Sequence, residues 1–327
     1  MEHPTLTRLK QEANHAIESF LQRYPQGVAD GLYDPVHYLM GIGGKRLRAV
    51  LALSAAEAEG FEAKKAQPAA LAVELFHNFT LMHDDIMDQA PRRRGNPTVH
   101  IKWDENAGIL SGDAMYTLAH MALAEMNSEN LPPALRMFNQ TALEVCIGQQ
   151  SDMDFEQRSD VTVEEYMEMI RLKTSVLVAA SLAMGAIAVG ANEERVKLWY
   201  KAGEQLGLAF QMQDDLLDVF GGDAMGKQVG GDILSNKKTF LRLHTWEKAN
   251  PDLLGDLKKW DKIEGQPMEK VEFVKNAMIE CGADAAARSA MLDYVGQAMS
   301  ALDDLNLSDT NREWFDFLGG LVTQRTS

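Results

Sequence analysis

The sequence predicts an all-α fold, on three observations. Apolar residues recur at helical spacing through most of the 327 residues. No proline interrupts the chain between Pro133 and Pro251, as long helices require. No segment alternates apolar and polar residues for long enough to read as a sheet strand. Leu6, Leu9, Ala13, Ile17, Phe20 and Leu21 mark the first helix, which Pro25 ends. A turn-rich passage with Gly27, Gly31, Asp34 and Pro35 leads to Gly41-Ile42-Gly43-Gly44-Lys45-Arg46-Leu47-Arg48, which opens the next. Pro68 starts a third helix, with Asp84, Asp85 and Asp88 near its C-terminal end, and Pro91 and Pro97 bracket an arginine-rich loop. Helices follow over about residues 106–126 and from Pro132 into the 150s, and Thr162-Val163-Glu164-Glu165 is a capping-box pattern opening another. Residues 175–191 carry no charge and approach the length of a short membrane span, yet they are mostly Ala, Gly and Ser. They read as a tightly packed core or subunit-interface helix. No repeat and no linker divides the chain, so a single domain is expected over residues 1–327.

Composition is globular, with 46% hydrophobic and 24% charged residues. A net charge of −16 argues against nucleic acid and anionic membrane surfaces as main partners, since both need a basic face. Cys146 and Cys281 form neither a disulfide framework nor a zinc spacing, which fits a reducing cytoplasm. The N-terminus lacks the basic-then-apolar pattern of a signal peptide.

Two acidic clusters carry the chemistry. Asp84, Asp85 and Asp88 end an apolar run, and Asp214, Asp215 and Asp218 repeat their spacing far along the chain. On a helix the first and last aspartate of each set share a face. Such crowded carboxylates, embedded in apolar sequence, call for a cation. The Glu-x-x-His pairs of a di-iron site and the glycine and closing glutamate of an EF-hand are absent. Hard oxygen ligands beside basic residues favour Mg²⁺ bridging to phosphate. The basic residues come in groups: Gly43-Gly44-Lys45-Arg46-Leu47-Arg48, Arg92 to Arg94 before Gly95, Lys173-Thr174, and a glycine- and lysine-rich loop from Gly226-Lys227 to Lys237-Lys238-Thr239. Taken singly, Arg46 and Lys238 read as solvated surface cations.

In this order the motifs resemble those of the trans-prenyl diphosphate synthases, which include the farnesyl and geranylgeranyl diphosphate synthases. The resemblance covers about residues 40–240. It departs at Ala49, where the family often has proline. The triple arginine also blurs the register, which is fixed by counting back from Gly95. The first cluster has two residues between its aspartates rather than the longer insert of many bacterial farnesyl synthases, so neither a C15 nor a C20 product is excluded.

The resemblance implies an all-α bundle of the isoprenoid synthase type around a central cavity, forming a cytoplasmic homodimer. It implies a prenyltransferase that ionises an allylic diphosphate, joins it to isopentenyl diphosphate in the trans configuration and releases pyrophosphate. Asp84, Asp88 and Asp214 would be the principal Mg²⁺ ligands, with three ions usual. Asp85, Asp215 and Asp218 would bind through water or support them. Arg93, Lys173, Lys227 and Lys237 would hold the allylic diphosphate, and Lys45, Arg48, His77 and Arg94 that of isopentenyl diphosphate. Thr174 and Gln211 would flank the developing cation. Metal and fixed cations stabilise a departing diphosphate more in the transition state than in the ground state. The tail then needs a dry tunnel, for which Phe76, Phe79, Met115, Leu118 and Met121 are candidates, though most of them read as core. Phe79 and Thr80, five and four positions before Asp84, would gauge product length and suggest a short product of C15–C20. A terpene cyclase would not need the Lys45, Arg48 and His77 set, and its second metal motif normally differs from Asp214-Asp215-x-x-Asp218. A non-catalytic subunit of a heteromeric synthase tends to lose aspartates, and both clusters are complete here. A plain helical interaction protein explains neither the paired clusters nor the basic loops.

Overall fold

The structure, a computed structural model, describes residues 3–27, 31–221, 230–263 and 267–324. Helices Pro4–Leu21 (α1), Asp34–Gly41 (α2), Leu47–Ala58 (α3) and Gln67–Met87 (α4) come first. The strands Arg92–Arg93 (β1) and Asn96–Pro97 (β2) form a small antiparallel hairpin, with Arg92 opposite Pro97. Then come Val99–Lys102 (α5), Glu105–Leu123 (α6), Leu131–Gln157 (α7), Val163–Ile170 (α8), Val176–Ala188 (α9) and Glu193–Phe220 (α10). Gly231–Leu234 (α11), Phe240–Lys248 (α12), Pro251–Trp260 (α13), Pro267–Glu280 (α14), Ala283–Asp304 (α15) and Asp309–Gln324 (α16) complete the chain. The all-α expectation holds, with the two-residue hairpin as the single exception among the described residues.

The chain divides into two compact units. The first comprises Met1–Thr141, Ala180–Tyr200 and Leu307–Trp314, and the second Ala142–Ala179, Lys201–Asn306 and Phe315–Ser327. In the first unit α4 packs against α1, α3 and α6. Residues 69–76 of α4 are buried on every side, as expected for a helix whose apolar residues encircle it. Polar side chains cap the starts of α6 and α8. Asp104 accepts from the Ala107 amide at 2.8 Å to open α6. In the second unit Thr162 and Glu165 form the expected capping box at α8. The core of that unit gathers Tyr166, Met212, Leu241, Val274, Met278 and Ala287.

One helical run among the described residues, Val163–Ala188, is long and apolar enough to cross a membrane, and 78% of its most apolar window is buried inside the protein. It is a core helix. A π-helical turn, Arg171–Ser175, interrupts it. Gly148 of α7 lies against that turn so closely that a Cβ on it would sit 2.3 Å from the Lys173 amide nitrogen. Phe76, Met115 and Leu118 are core, whereas Met121, a candidate tunnel residue, is 46% exposed, because it lies on the outer face of α6. Arg46, read as a solvated cation, is buried, for reasons set by Glu74 below.

Candidate active site

In the first unit, α4 ends just past its aspartates. Asp88 is the C-terminal cap, Gln89 turns into the left-handed region at φ +50°, and the Ala90 amide closes back onto the Asp85 carbonyl at 2.9 Å. Asp84 and Asp88 lie one turn apart. Asp85, about 100° round the helix, is buried instead and receives Arg93 Nε at 2.8–2.9 Å on both oxygens. Burial pushes the Asp85 carboxyl up, and the Arg93 contact opposes this. Arg93 also stands 3.8 Å from Asp84 through Nη2. It is therefore an ion-pair partner of the first cluster within the protein itself. The hairpin turn sets its direction: Arg94 and Gly95 both take positive φ, as a two-residue hairpin demands.

The basic residues before α3 meet the same helix. Arg48 Nη1 lies 3.0 Å from His77 Nε2. Since guanidinium can only donate, that nitrogen accepts and the imidazole proton sits on Nδ1. Burial, then the charges of Arg48, Arg94, Arg93 and Arg46, hold His77 well below the ordinary histidine range, so it is neutral. Burial likewise lowers Arg48 to about 10. Its Nε is buried with no hydrogen-bond partner. Arg94 donates to the Gly43 carbonyl and crosses Gly44, where a Cβ would stand 2.9 Å from its Nη1. Gly44 takes φ +149°, so this crossing needs glycine on both counts. Lys45 is exposed on the same loop. Arg46 turns the other way. At φ +52° it reaches Asn14 at 3.0 Å, Glu74 at 3.4 Å and the Met40 carbonyl, and so anchors the loop.

The second unit repeats the arrangement on α10. Asp214 and Asp218 are partly buried one turn apart, while Asp215 is buried and accepts from Tyr166 Oη at 2.6 Å and Gln211 Nε2 at 3.0 Å. Burial raises Asp215 to about 7 against those two bonds. Asp218 accepts from the Asp232 amide at 2.9 Å, which ties α10 to the segment carrying Lys237. Lys237 is exposed, and its amide donates to the Asp232 carbonyl at 2.9 Å. Lys238 reaches the Glu156 carbonyl at 3.0 Å. Lys173 lies in the π-turn with Thr174 and donates to Asp152 at 2.6 Å. Lys227 and Gly226 lie outside the described residues.

No group of three or more acidic, histidine or cysteine side chains among the described residues could hold a metal alone. Mg²⁺ is commonly held by one or two carboxylates, with water and phosphate oxygens completing its octahedron. Asp84 with Asp88, and Asp214 with Asp218, each one helical turn apart, could supply such partial oxygen sets.

Four supporting residues emerge only from the structure: Glu74, Asp152, Tyr166 and Asp232. Glu74 had a signal, as a lone acid within the apolar run 69–76. The others had none.

The Polyprenyl synthetase family pattern matches residues 29–281. The geranylgeranyl diphosphate synthase of Methanosarcina mazei is 37% identical over 301 residues, 91% of each chain. A crystal structure of a geranylgeranyl pyrophosphate synthase is similar over 100% of both chains, with 43% identity and a TM-score of 0.93. A geranylgeranyl pyrophosphate synthase from Corynebacterium glutamicum, complexed with isoprenyl diphosphate and magnesium, is 26% identical with a TM-score of 0.88, over 98% of this chain and 99% of that one.

Proposed function

The chain belongs to the polyprenyl synthetase family and is a short-chain trans-prenyltransferase of all-α isoprenoid synthase fold, and we propose that it condenses isopentenyl diphosphate with an allylic diphosphate to a C15–C20 product. One observation carries the substrate assignment. Arg48 keeps a buried, unbonded Nε near a neutral His77 and the positive charge of Arg94, so an unused donor and positive charge meet at one glycine-bordered loop. That is a receptor for a diphosphate, and with Lys45 it would hold isopentenyl diphosphate.

Arg93, Lys173, Thr174, Gln211, Lys227 and Lys237 would serve the allylic substrate. Asp84, Asp88 and Asp214 would hold Mg²⁺, three ions in all with diphosphate bound. When bound, the metal neutralises charge on the departing diphosphate. Asp85, Asp215 and Asp218 would support the ligands: Asp85 orients Arg93, Asp215 fixes Gln211, and Asp218 secures the segment leading to Lys237. Phe79 and Thr80 would limit product length. We place the enzyme in the cytoplasm as a homodimer, built as one domain over residues 1–327. Four of the boundaries between the two compact units fall inside helices α7, α9, α10 and α16, which supports a single domain.

The test is to incubate purified protein with Mg²⁺, isopentenyl diphosphate and each of the C5, C10 and C15 allylic diphosphates, and to identify the products. Condensation to C15 or C20 is expected. No product with any primer would overturn the proposal.

A further inference from the structure

Lys237 follows a residue whose side chain is clamped from three directions. Asn236 stands at φ +56°, a conformation unfavourable for most side chains. Its Oδ1 accepts from Lys270 Nζ at 2.7 Å and, more weakly, from Arg242 Nη1 at 3.4 Å, while its Nδ2 donates to the Asp261 carbonyl at 3.0 Å. Arg242 in turn pairs with the Asp261 carboxylate at 2.6 Å and lies over the Trp246 ring. Arg242 and Lys270 are both buried, at 5% and 4% exposure. Of these two buried cations Arg242 pairs with the Asp261 carboxylate, and the ammonium of Lys270 is spent on a neutral amide. Apolar residues of similar size would serve stability at least as well. What this set does achieve is to fix both ends of one amide, and with it the backbone turn before Lys237. Lys238 is drawn back to the Glu156 carbonyl, leaving Lys237 as the exposed ammonium of the pair. From Lys237 hydrogen bonds run through the Asp232 backbone to the Asp218 carboxylate on α10.

We propose that Asn236, Arg242, Asp261 and Lys270 form a positioning latch that holds Lys237 in register with the aspartates of α10. Arg242, Asp261 and Lys270 are assigned a positioning role only. They act through Asn236, which acts through the backbone of Lys237. The proposal rests on Lys237 binding the allylic diphosphate.

Steady-state kinetics on the full chain with both substrates tests it. Asn236→Gly keeps the left-handed turn and removes the clamp, and Lys270→Met keeps the bulk and removes the donor. Each is expected to raise KM for the allylic diphosphate roughly tenfold, the effect of one charge-assisted hydrogen bond. KM for isopentenyl diphosphate should stay within about twofold, and Lys270→Arg should restore most of the loss. Lys237→Ala is the control. If it raises the allylic KM and the two latch variants do not, the latch is wrong while the role of Lys237 stands. An unchanged allylic KM in Lys237→Ala would remove that role, and the latch would fall with it. Equal losses towards both substrates with a lowered melting temperature would reduce the cluster to a structural one.

Discussion

Asp215 is a carboxyl whose environment pulls in two directions. Tyr166 and Gln211 donate to it, yet burial outweighs them and lifts it to about 7 from an ordinary 3.8. Between those values the folded protein holds a proton that the unfolded chain releases. The contribution of this group to stability is therefore complete at low pH and is lost as pH rises through about 4 to 7, at about 1.4 kcal/mol per pH unit. Asp215→Asn, uncharged at every pH, lacks that slope. Urea unfolding in EDTA at pH 5, 6, 7 and 8 should show wild type losing ground to the variant as pH rises, and parallel curves would refute it. The presence of Asp215 was legible from its apolar neighbourhood, but its direction was not. Within Asp-Asp-x-x-Asp, spacing puts the first and last residues on one face and the middle one elsewhere. Only the fold shows that Tyr166 waits there.

Helix α4 carries Asp84 and the expected length gauge and is capped by Asp88, and the consequences follow from helix geometry. Five residues before Asp84, Phe79 stands about 7.5 Å along the axis. Its ring packs on Phe76 at 5.5 Å, on His83 at 4.7 Å and on Tyr116 of α6 at 5.3 Å, with Phe138 behind Phe76 and Tyr116. Removing Phe79 therefore opens one layer and meets another. Phe79→Ala is expected to lengthen the main product by about one isoprene unit, and Phe79→Ala with Tyr116→Ala by more, read by chromatography of the hydrolysed products. An unchanged product from the single variant would dismiss Phe79 as the gauge. At this scale the sequence was informative wherever the signal is local. The capping box at Thr162, the helix-opening prolines and the run of α4 all follow from neighbours within a few positions. The π-turn at Lys173 was hidden, since one inserted residue leaves an apolar pattern nearly unchanged. Arg46 was misjudged because its acid partner, Glu74, lies 28 residues away.

At the scale of the whole molecule, a chain of net charge −16 must bind two polyanionic substrates. General attraction works against it, so binding depends on local cations and on metal. With the proposed ligands, Mg²⁺ alone would meet only pairs of carboxylates, and diphosphate alone would meet the field of those same carboxylates; together they would satisfy each other. The two ligands should then stabilise the fold cooperatively. Saturating Mg²⁺ with inorganic pyrophosphate, at about 100 times the dissociation constant, would add about 2.7 kcal/mol. For a chain of this length that is roughly 4 °C in melting temperature. Either ligand alone should give much less. Asp84→Ala and Asp214→Ala should each abolish the joint shift and cut turnover by orders of magnitude while leaving the unliganded melting temperature near that of wild type. An aspartate lost from either cluster would remove a proposed metal ligand without removing core. A full joint shift surviving in Asp84→Ala would remove that residue from the metal site, and the same result in Asp214→Ala would remove the second cluster. Because the shift needs no turnover, it separates a failure to bind metal and diphosphate from a failure of the chemistry that follows.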